Sequence, residues 1–584
     1  MYEVLSRIHG PEDVKSLDDE ELVRLAADIR DALMNRISKA GGHFGPNFGV
    51  VEATIALHYV FDSPKDKFVF DVSHQSYPHK ILTGRAEAYT NPERFRDVSG
   101  YTNPEESEHD FFNVGHTSTS IALASGLAEG RNLLGGHENI IALIGDGALS
   151  GGEALEALDY AGSELKGNFI IVVNDNQQAI AEVHGGLYEN LKLLRETDGQ
   201  AENNLFRAMG LDYVYEAEGN DVLRLIDVFR KVKDIDHPIV VHINTVKGKG
   251  YGIAEKNKEA WHYTAPFDPD TGRPAISFGD TERYTDLTAA YLMDKAKKDS
   301  SFIVVTPAMP GAAGLTPQMR EELGIQYRDV GIAEEQAVAM ASGIAKNGGK
   351  PVVITAATFM QRAFDQISQD VCINNTPVTI VLNYASVMAM NDVTHLGIYA
   401  ISAFSNIPNL VVLAPTSGRE YRAMLSWAVD QKDHPVMILM PHGRVTDDER
   451  TVDGDYSDLN RFKVERRGSK VAILALGDFY GIGKKVAEAY ERRTGIQPTL
   501  INPRFASGID AELLEDLKAD HDRIVTLEDG ILDGGFGQKI SAFYADSDMK
   551  VISYGMEKEF YDRYDSRWLL KDLGIDPEMI AETL

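Results

Sequence analysis

Residues 139–176 read NIIALIGDGALSGGEALEALDYAGSELKGNFIIVVNDN. Two β-branched apolar runs, each followed at once by Gly, Asn or Asp, flank a segment with the period and composition of a helix. A strand, a helix and a second strand in that order make a right-handed crossover, which returns the second strand parallel to the first. Apolar runs without polar alternation are buried on both faces, so helices must cover the sheet on each side. The same pattern recurs at KPVVITAATF (350–359), TPVTIVLN (376–383), NLVVLAP (409–415), KVAILALG (470–477) and RIVTLEDG (523–530). Repetition of this unit predicts an α/β chain of doubly wound, mostly parallel sheets. Its polar strand ends (GDG, NDN, LED) fall at the edge where open parallel sheets bind ligands.

The chain has 584 residues, more than the roughly 250–300 that one core sustains. Two stretches of weak periodicity, roughly 253–285 and 442–468, divide it into expected blocks at 1–275, 276–450 and 451–584. Apolar residues make up 43% and charged residues 25%, an ordinary globular composition that excludes disorder and fibrous repeats. The 58 Lys and Arg against 89 Asp and Glu leave a net charge of −31, a field that repels nucleic acid and anionic membrane. Small-molecule partners are expected, and an anionic substrate then needs local positive charge or a metal. The one cysteine, Cys372 in the apolar run VCI, permits no internal disulfide and no cysteine metal cage, and reads as core in a reducing compartment. The first residues carry no apolar signal core, and no stretch approaches 18 uninterrupted apolar residues, so the expectation is a cytoplasmic chain with no membrane span.

Asp146 and Asn176 each end an apolar run, thirty positions apart. The crossover sets them side by side at one sheet edge, one carboxylate and one amide oxygen, hard ligands that suit Mg²⁺ while leaving room for phosphate oxygens. Gly145 and Gly147 allow close backbone approach, and a helix starting near Gly151 presents N–H groups to a diphosphate. Alone, either GDG or NDN reads equally well as a turn. Together, at this spacing, they resemble the thiamine diphosphate motif. That cofactor also requires a carboxylate on its aminopyrimidine ring, favouring the imino tautomer that deprotonates the thiazolium carbon. Glu334, in DVGIAEEQAVAMASGIAKNGGKPVV (329–353), opens a small-residue helix after a short apolar run. By itself, a Glu at a helix start is only a favourable dipole partner.

Further segments follow in order: GGHFGPNFG (41–49), DVSHQSYPHKILTGR (71–85), VGHTSTSIALASGLAEG (114–130), VKGKGY (246–251), WHYTAPFDPDTG (261–272), GIAEEQAVA (331–339) and TFMQRAFDQISQDV (358–371). In these the chain resembles the 1-deoxy-D-xylulose-5-phosphate synthases of the transketolase superfamily over nearly its whole length. The resemblance implies a diphosphate-binding domain (1–275), a pyrimidine-binding domain (276–450) and a smaller C-terminal domain (451–584), assembled as a homodimer. It also implies condensation of pyruvate with glyceraldehyde 3-phosphate and loss of CO₂, an activity that serves isoprenoid and thiamine synthesis.

Carried over residue by residue, the resemblance implies Asp146, Asn176 and the Gln178 carbonyl as Mg²⁺ ligands, with Gly147 and Ala148 near the diphosphate. Glu334 takes the pyrimidine role. His74, Gly115, His116, Thr117 and Tyr251 match cofactor-contacting positions, and Phe359 a ring-packing one. His43, His262 and His395 match active-site histidines and Arg362 an active-site arginine. A histidine near neutral pKa shuttles protons to the oxygens such chemistry charges. His58, His79 and His184 are read as structural groups.

Departures from the family pattern fall on the acceptor side. In NYASVMAMNDVTHLG (383–397) an expected arginine is Tyr384 and an expected aspartate is Asn391. In MPHG (440–443) a second expected arginine is His442, and Ala356 stands at an expected tyrosine. The loop QQAIAEVHGGL (177–187) is shorter than its counterpart. The two absent arginines are those that hold the aldehyde's phosphate in the family, and Arg444 is the nearest replacement in sequence. Three functions stay open: a working synthase, a paralogue transferring a ketol or acyl group to another aldehyde, possibly unphosphorylated, and a non-catalytic cofactor-binding protein.

Overall fold

The computed structural model describes residues 2–275, 281–447 and 449–584. The chain forms two compact units, Met1–Gly279 with Gly331–Ala333, and Asp280–Val330 with Glu334–Leu584.

The first unit contains β1 (Gly42–His43), β2 (Lys67–Phe70), β3 (Ile140–Gly145), β4 (Phe169–Asp175), β5 (Asp212–Glu216), β6 (Pro238–Asn244) and β7 (Tyr263–Thr264). Five of these form one parallel sheet in the order β2-β3-β4-β6-β5. Alternation along β3 and β4 explains their unbroken apolar sequence. Ile141, Leu143, Ile170 and Val172 join one core, while Ile140, Ala142, Ile144, Ile171 and Val173 join the other. Helices Asp19–Ala40, Val51–Val60 and Val222–Val232 contribute to the first core, and Ser120–Leu133, Gly152–Ser163 and Gly186–Glu196 to the second. The register pairs Gly145 with Asn174, so GDG and NDN leave neighbouring strand ends together. β1 and β7 pair antiparallel, which draws residues 253–275 of the expected 253–285 connection into this unit.

The second unit holds two sheets. Its first has β8 (Phe302–Thr306), β9 (Tyr327–Asp329), β10 (Lys350–Ala356), β11 (Thr379–Asn383), β12 (Val411–Leu413) and β13 (Val436–Leu439), parallel throughout in the order β12-β13-β11-β10-β8-β9. Its second has β14 (Lys463–Arg466), β15 (Lys470–Ala475), β16 (Thr499–Asn502), β17 (His521–Ile531) and β18 (Lys550–Met556) in the order β14-β16-β15-β17-β18, with only the edge strand β14 antiparallel. The chain is thus α/β with mostly parallel sheets, as its sequence pattern predicts. The blocks drawn at 276–450 and 451–584 keep separate sheets but share a core, in which Val305, Val353 and Ile380 join one cluster with Leu474, Ile501 and Ile524. Cys372 is buried in that cluster.

Candidate active site

In the first unit the strand ends build a set of oxygen donors. Asp146 is buried just past β3, and the backbone N–H of Gln178 donates to its Oδ2 at 3.2 Å, which seats the 176–178 turn against the carboxylate. Asn176 follows β4, and its Oδ1 is buried with no hydrogen-bond partner. Burial and the neighbouring charge of Asp175 push the Asp146 carboxyl up to about 8. Among the described residues no three His, Cys, Asp or Glu side chains gather to hold a metal. Asp146 and Asn176 offer one carboxylate and one amide oxygen, hard donors whose chemistry suits a cation such as Mg²⁺. At Gly147 a side chain is excluded, since an added Cβ would stand 2.7 Å from Ala179 Cβ.

The loop carrying Gly115, His116 and Thr117 is stitched to this turn. Asp71, just after β2, accepts the N–H groups of Ser118 (2.8 Å) and Ser120 (2.9 Å), and Ser118 Oγ donates to the Ala148 carbonyl at 2.7 Å. Ser118 pays for this placement with a left-handed backbone, φ 74°.

Three of the expected histidines meet as rings. His43 lies 5.0 Å from His74 and 5.6 Å from His262, and His74 lies 5.2 Å from His262, centroid to centroid. The β1–β7 pair carries His43 and sets His262 one residue before β7. Buried Asn47 joins the same corner, its Nδ2 donating to the carbonyls of both His43 and His74 at 2.7 Å. Burial, reinforced by Lys247, drives His74 down to about 3 and His262 well below its ordinary value. The expectation of near-neutral pKa therefore fails for His262: the protein holds it as an uncharged imidazole, and the Nδ1 atoms of His74 and His262 have no hydrogen-bond partner. Tyr251 packs against Phe44 and Trp261, and its hydroxyl donates to the Pro269 carbonyl at 2.9 Å.

Lys247, within VKGKGY, has a place at this corner that its motif alone does not signal. It is buried, donates to the Ala179 carbonyl at 2.6 Å, and is lowered by burial to about 7 against the opposing pull of Asp146. Asp175, within NDN, likewise goes unsignalled by its motif alone. His242 Nε2 contacts its Oδ2 at 3.0 Å, Arg195 pairs with the same oxygen, and Tyr213 OH meets His242 Nδ1 at 2.8 Å. Against burial, these partners hold Asp175 below its usual value. His58 and His79 behave as read. They are fully buried, 2.9 Å apart, and His79 continues to Asp110, which Arg85 also binds.

In the second unit Glu334 opens the helix Glu334–Lys346 and is buried. Its Oε2 has no hydrogen-bond partner and lies 3.8 Å from Arg362 Nη1. Burial raises the carboxyl to about 7, opposed by Arg362. Phe359, past the end of β10, meets His395 edge-on with centroids 5.5 Å apart.

The acceptor-side positions scatter. Asn391 donates to the Tyr564 carbonyl at 2.7 Å and accepts from Arg563 N–H, bonds that tie its loop to 563–564. His442 is half-buried, lowered by burial, and its N–H donates to Asp478 Oδ2 at 3.0 Å. Asp529 accepts from Ser386 Oγ (2.5 Å) and Val387 N–H (2.8 Å). Burial and the charge of Asp529 raise Asp478 to about 8, and burial raises Asp529 to about 6. This carboxylate pair, Asp529 buried and Asp478 half-buried, holds the loops bearing Tyr384 and His442. Its signal in the sequence is an acidic residue at the end of each apolar run, LGD for Asp478 and LED for Asp529.

The family model described as 1-deoxy-D-xylulose-5-phosphate synthase matches residues 5–203 and 197–245. The transketolase pyrimidine-binding domain matches 283–447, and the transketolase C-terminal domain 460–580. 1-Deoxy-D-xylulose-5-phosphate synthase 1 of Geobacter sulfurreducens is 36% identical over 622 residues, covering 100% of this chain and 97% of that protein. The synthases of Clostridium beijerinckii and Shouchella clausii are each 36% identical, over 621 and 619 residues, and each match covers 99% of this chain and 98% of the relative.

Proposed function

The chain belongs to the 1-deoxy-D-xylulose-5-phosphate synthase family, and we propose that it is a transketolase-type transferase joining pyruvate to glyceraldehyde 3-phosphate with loss of CO₂. The observation that carries this reading is that two buried acceptor oxygens, Asn176 Oδ1 and Glu334 Oε2, have no hydrogen-bond partner, on residues expected at the metal and pyrimidine ends of thiamine diphosphate.

When bound, thiamine diphosphate supplies the carbon nucleophile and the electron sink that the protein lacks. Asp146, Asn176 and the Gln178 carbonyl would hold Mg²⁺, and the backbone at Gly115–Thr117 and Gly147–Ala148 would meet the diphosphate. Glu334, protonated up to about pH 7, holds a proton at its carboxyl for the ring nitrogen. Over the reaction the C1–C2 bond of pyruvate breaks, C2 bonds to the aldehyde carbon, and the aldehyde oxygen takes up a proton. Uncharged His74 and His262, with His43 and His395, donate protons to the substrate oxygens as these gain charge and accept protons from the hydroxyls that form. Phe359 packs the ring, and Arg362 sets the charge beside Glu334.

We place the protein in the cytoplasm as a homodimer, on the resemblance; no described helix is long and apolar enough to cross a membrane. Tyr384 and His442 favour a second reading, transfer to an unphosphorylated aldehyde. Incubation with thiamine diphosphate, Mg²⁺, pyruvate and a panel of phosphorylated and plain aldehydes, with products identified by mass spectrometry, separates the two.

A further inference from the structure

The turn after β2 leads to His74 through two consecutive residues in the left-handed region, Val72 (φ 57°) and Ser73 (φ 61°). Neither is glycine, and for the β-branched Val72 this backbone is a steric outlier. Strain of this kind persists only where the surrounding structure over-determines it, and it gathers at ligand sites. Here hydrogen bonds on both sides of Val72 hold the turn. Before it, Asp71 N–H donates to the Leu143 carbonyl at 2.8 Å, which fixes the turn to β3. After it, the Ser73 carbonyl accepts Ser76 N–H at 3.0 Å, and Asn47 Nδ2 donates to the His74 carbonyl at 2.7 Å.

The Ser73 side chain reaches further. It is buried, and its Oγ donates to the Val114 carbonyl at 2.7 Å while accepting Thr102 N–H at 2.9 Å. A hydroxyl supplies a donor and an acceptor at once, which neither alanine nor glycine can. Its loss takes a partner from the backbone of two buried residues. Val114 is the last residue before Gly115–Thr117, and the N–H groups of Ser118 and Ser120, just beyond that loop, go to Asp71. The loop is therefore held at both ends by one turn, at its entry by Ser73 and at its exit by Asp71. His74 is the next residue after Ser73, so the same strained turn sets both stretches.

We propose that Ser73 is a positioning residue for thiamine diphosphate: its hydroxyl ties the turn bearing His74 to the entry of the Gly115–Thr117 loop, so that both meet the cofactor as one rigid piece. The proposal rests on the cofactor reading for its ligand, while the tie itself belongs to the cofactor-free protein. A loop held in its binding form only part of the time binds more weakly in proportion to that fraction. Glycine adopts a positive φ without steric cost, so Ser73→Gly relieves the strain and removes the tie together. Ser73→Ala removes the tie and keeps the strain.

Wild type, Ser73→Ala and Ser73→Gly are compared as full-length chains, with thermal melts to confirm that each folds. Hydrogen exchange on the cofactor-free proteins, read by mass spectrometry, is expected to quicken about tenfold across residues 112–120 in both variants, the worth of one hydrogen bond. Calorimetric titration with thiamine diphosphate at saturating Mg²⁺ is expected to give a dissociation constant about tenfold higher in both. Ser73→Gly should nevertheless melt at or above Ser73→Ala. A merely structural serine would instead lose affinity only in step with melting temperature. Wild-type exchange across 112–120 in both variants overturns the tie, and wild-type affinity in Ser73→Gly overturns the positioning role. Failure of the cofactor reading shows separately, as no binding of thiamine diphosphate by wild type, and the exchange rates still decide the tie.

Discussion

Glu334 Oε2 lies 3.8 Å from Arg362 Nη1, buried and without a hydrogen-bond partner. A carboxyl so placed resists ionisation, and its pKa of about 7 stands above the ordinary 4.5. Between those values the native state binds more protons than the unfolded chain, so stability falls as pH rises from about 4.5 through 7. Glu334→Gln removes that dependence. The cofactor-free variant should gain about 3 kcal/mol over wild type between pH 4 and pH 8, at 1.36 kcal/mol per pKa unit. It should also lose most turnover while still binding thiamine diphosphate. Denaturant melts at the two pH values check the first part; equal differences at both contradict it.

The metal set predicts a different failure. Asp146→Ala removes the only charged ligand assigned to Mg²⁺ and should weaken joint binding of Mg²⁺ and thiamine diphosphate by tenfold or more. Calorimetric titration of the folded variant reads this directly, and wild-type affinity in Asp146→Ala would remove it from the metal set.

Gly147→Ala tests the close approach at the diphosphate turn. The added methyl meets Ala179 Cβ at 2.7 Å and Cα at 2.9 Å, so the turn must shift, at a cost of about 1–3 kcal/mol. Thiamine diphosphate affinity should fall at least tenfold in a protein that still folds. Wild-type affinity would show that this turn does not meet the cofactor.

The strand alternation was legible because β3 and β4 are buried on both faces, which leaves an unbroken apolar run and a polar stop. Edge strands such as β5 (DYVYE) and β18 (KVISYGM) mix polar and apolar residues on partly exposed faces and carry no such mark. Asp146, Asn176 and Glu334 announced themselves through local motif and spacing. Lys247 did not, because the burial that makes its ammonium unusual comes from tertiary packing around it. The Asp175–His242–Tyr213 chain and the Asp478–Asp529 pair likewise join residues from separate strands, and only sheet order brings them together.

The Asp175 network carries its own prediction. His242→Phe leaves Asp175 with one fewer donor and Tyr213 OH without its ring nitrogen, a loss of about 1.5–3 kcal/mol for a hydrogen bond to a charged group. Because Asp175 immediately precedes Asn176, Mg²⁺ affinity should fall with stability. A variant that loses stability but keeps its Mg²⁺ isotherm would confine the network to a structural role.

The most direct test of the central claim follows one carbon. Pyruvate labelled with ¹³C at C2 is incubated with glyceraldehyde 3-phosphate, thiamine diphosphate, Mg²⁺ and the wild-type protein, and the products are read by ¹³C NMR and mass spectrometry. The synthase assignment predicts the label at the ketone carbon of 1-deoxy-D-xylulose 5-phosphate, with one CO₂ released per ketose formed. Label that stays in pyruvate, or passes into a ketone only when an unphosphorylated aldehyde is supplied, would contradict it.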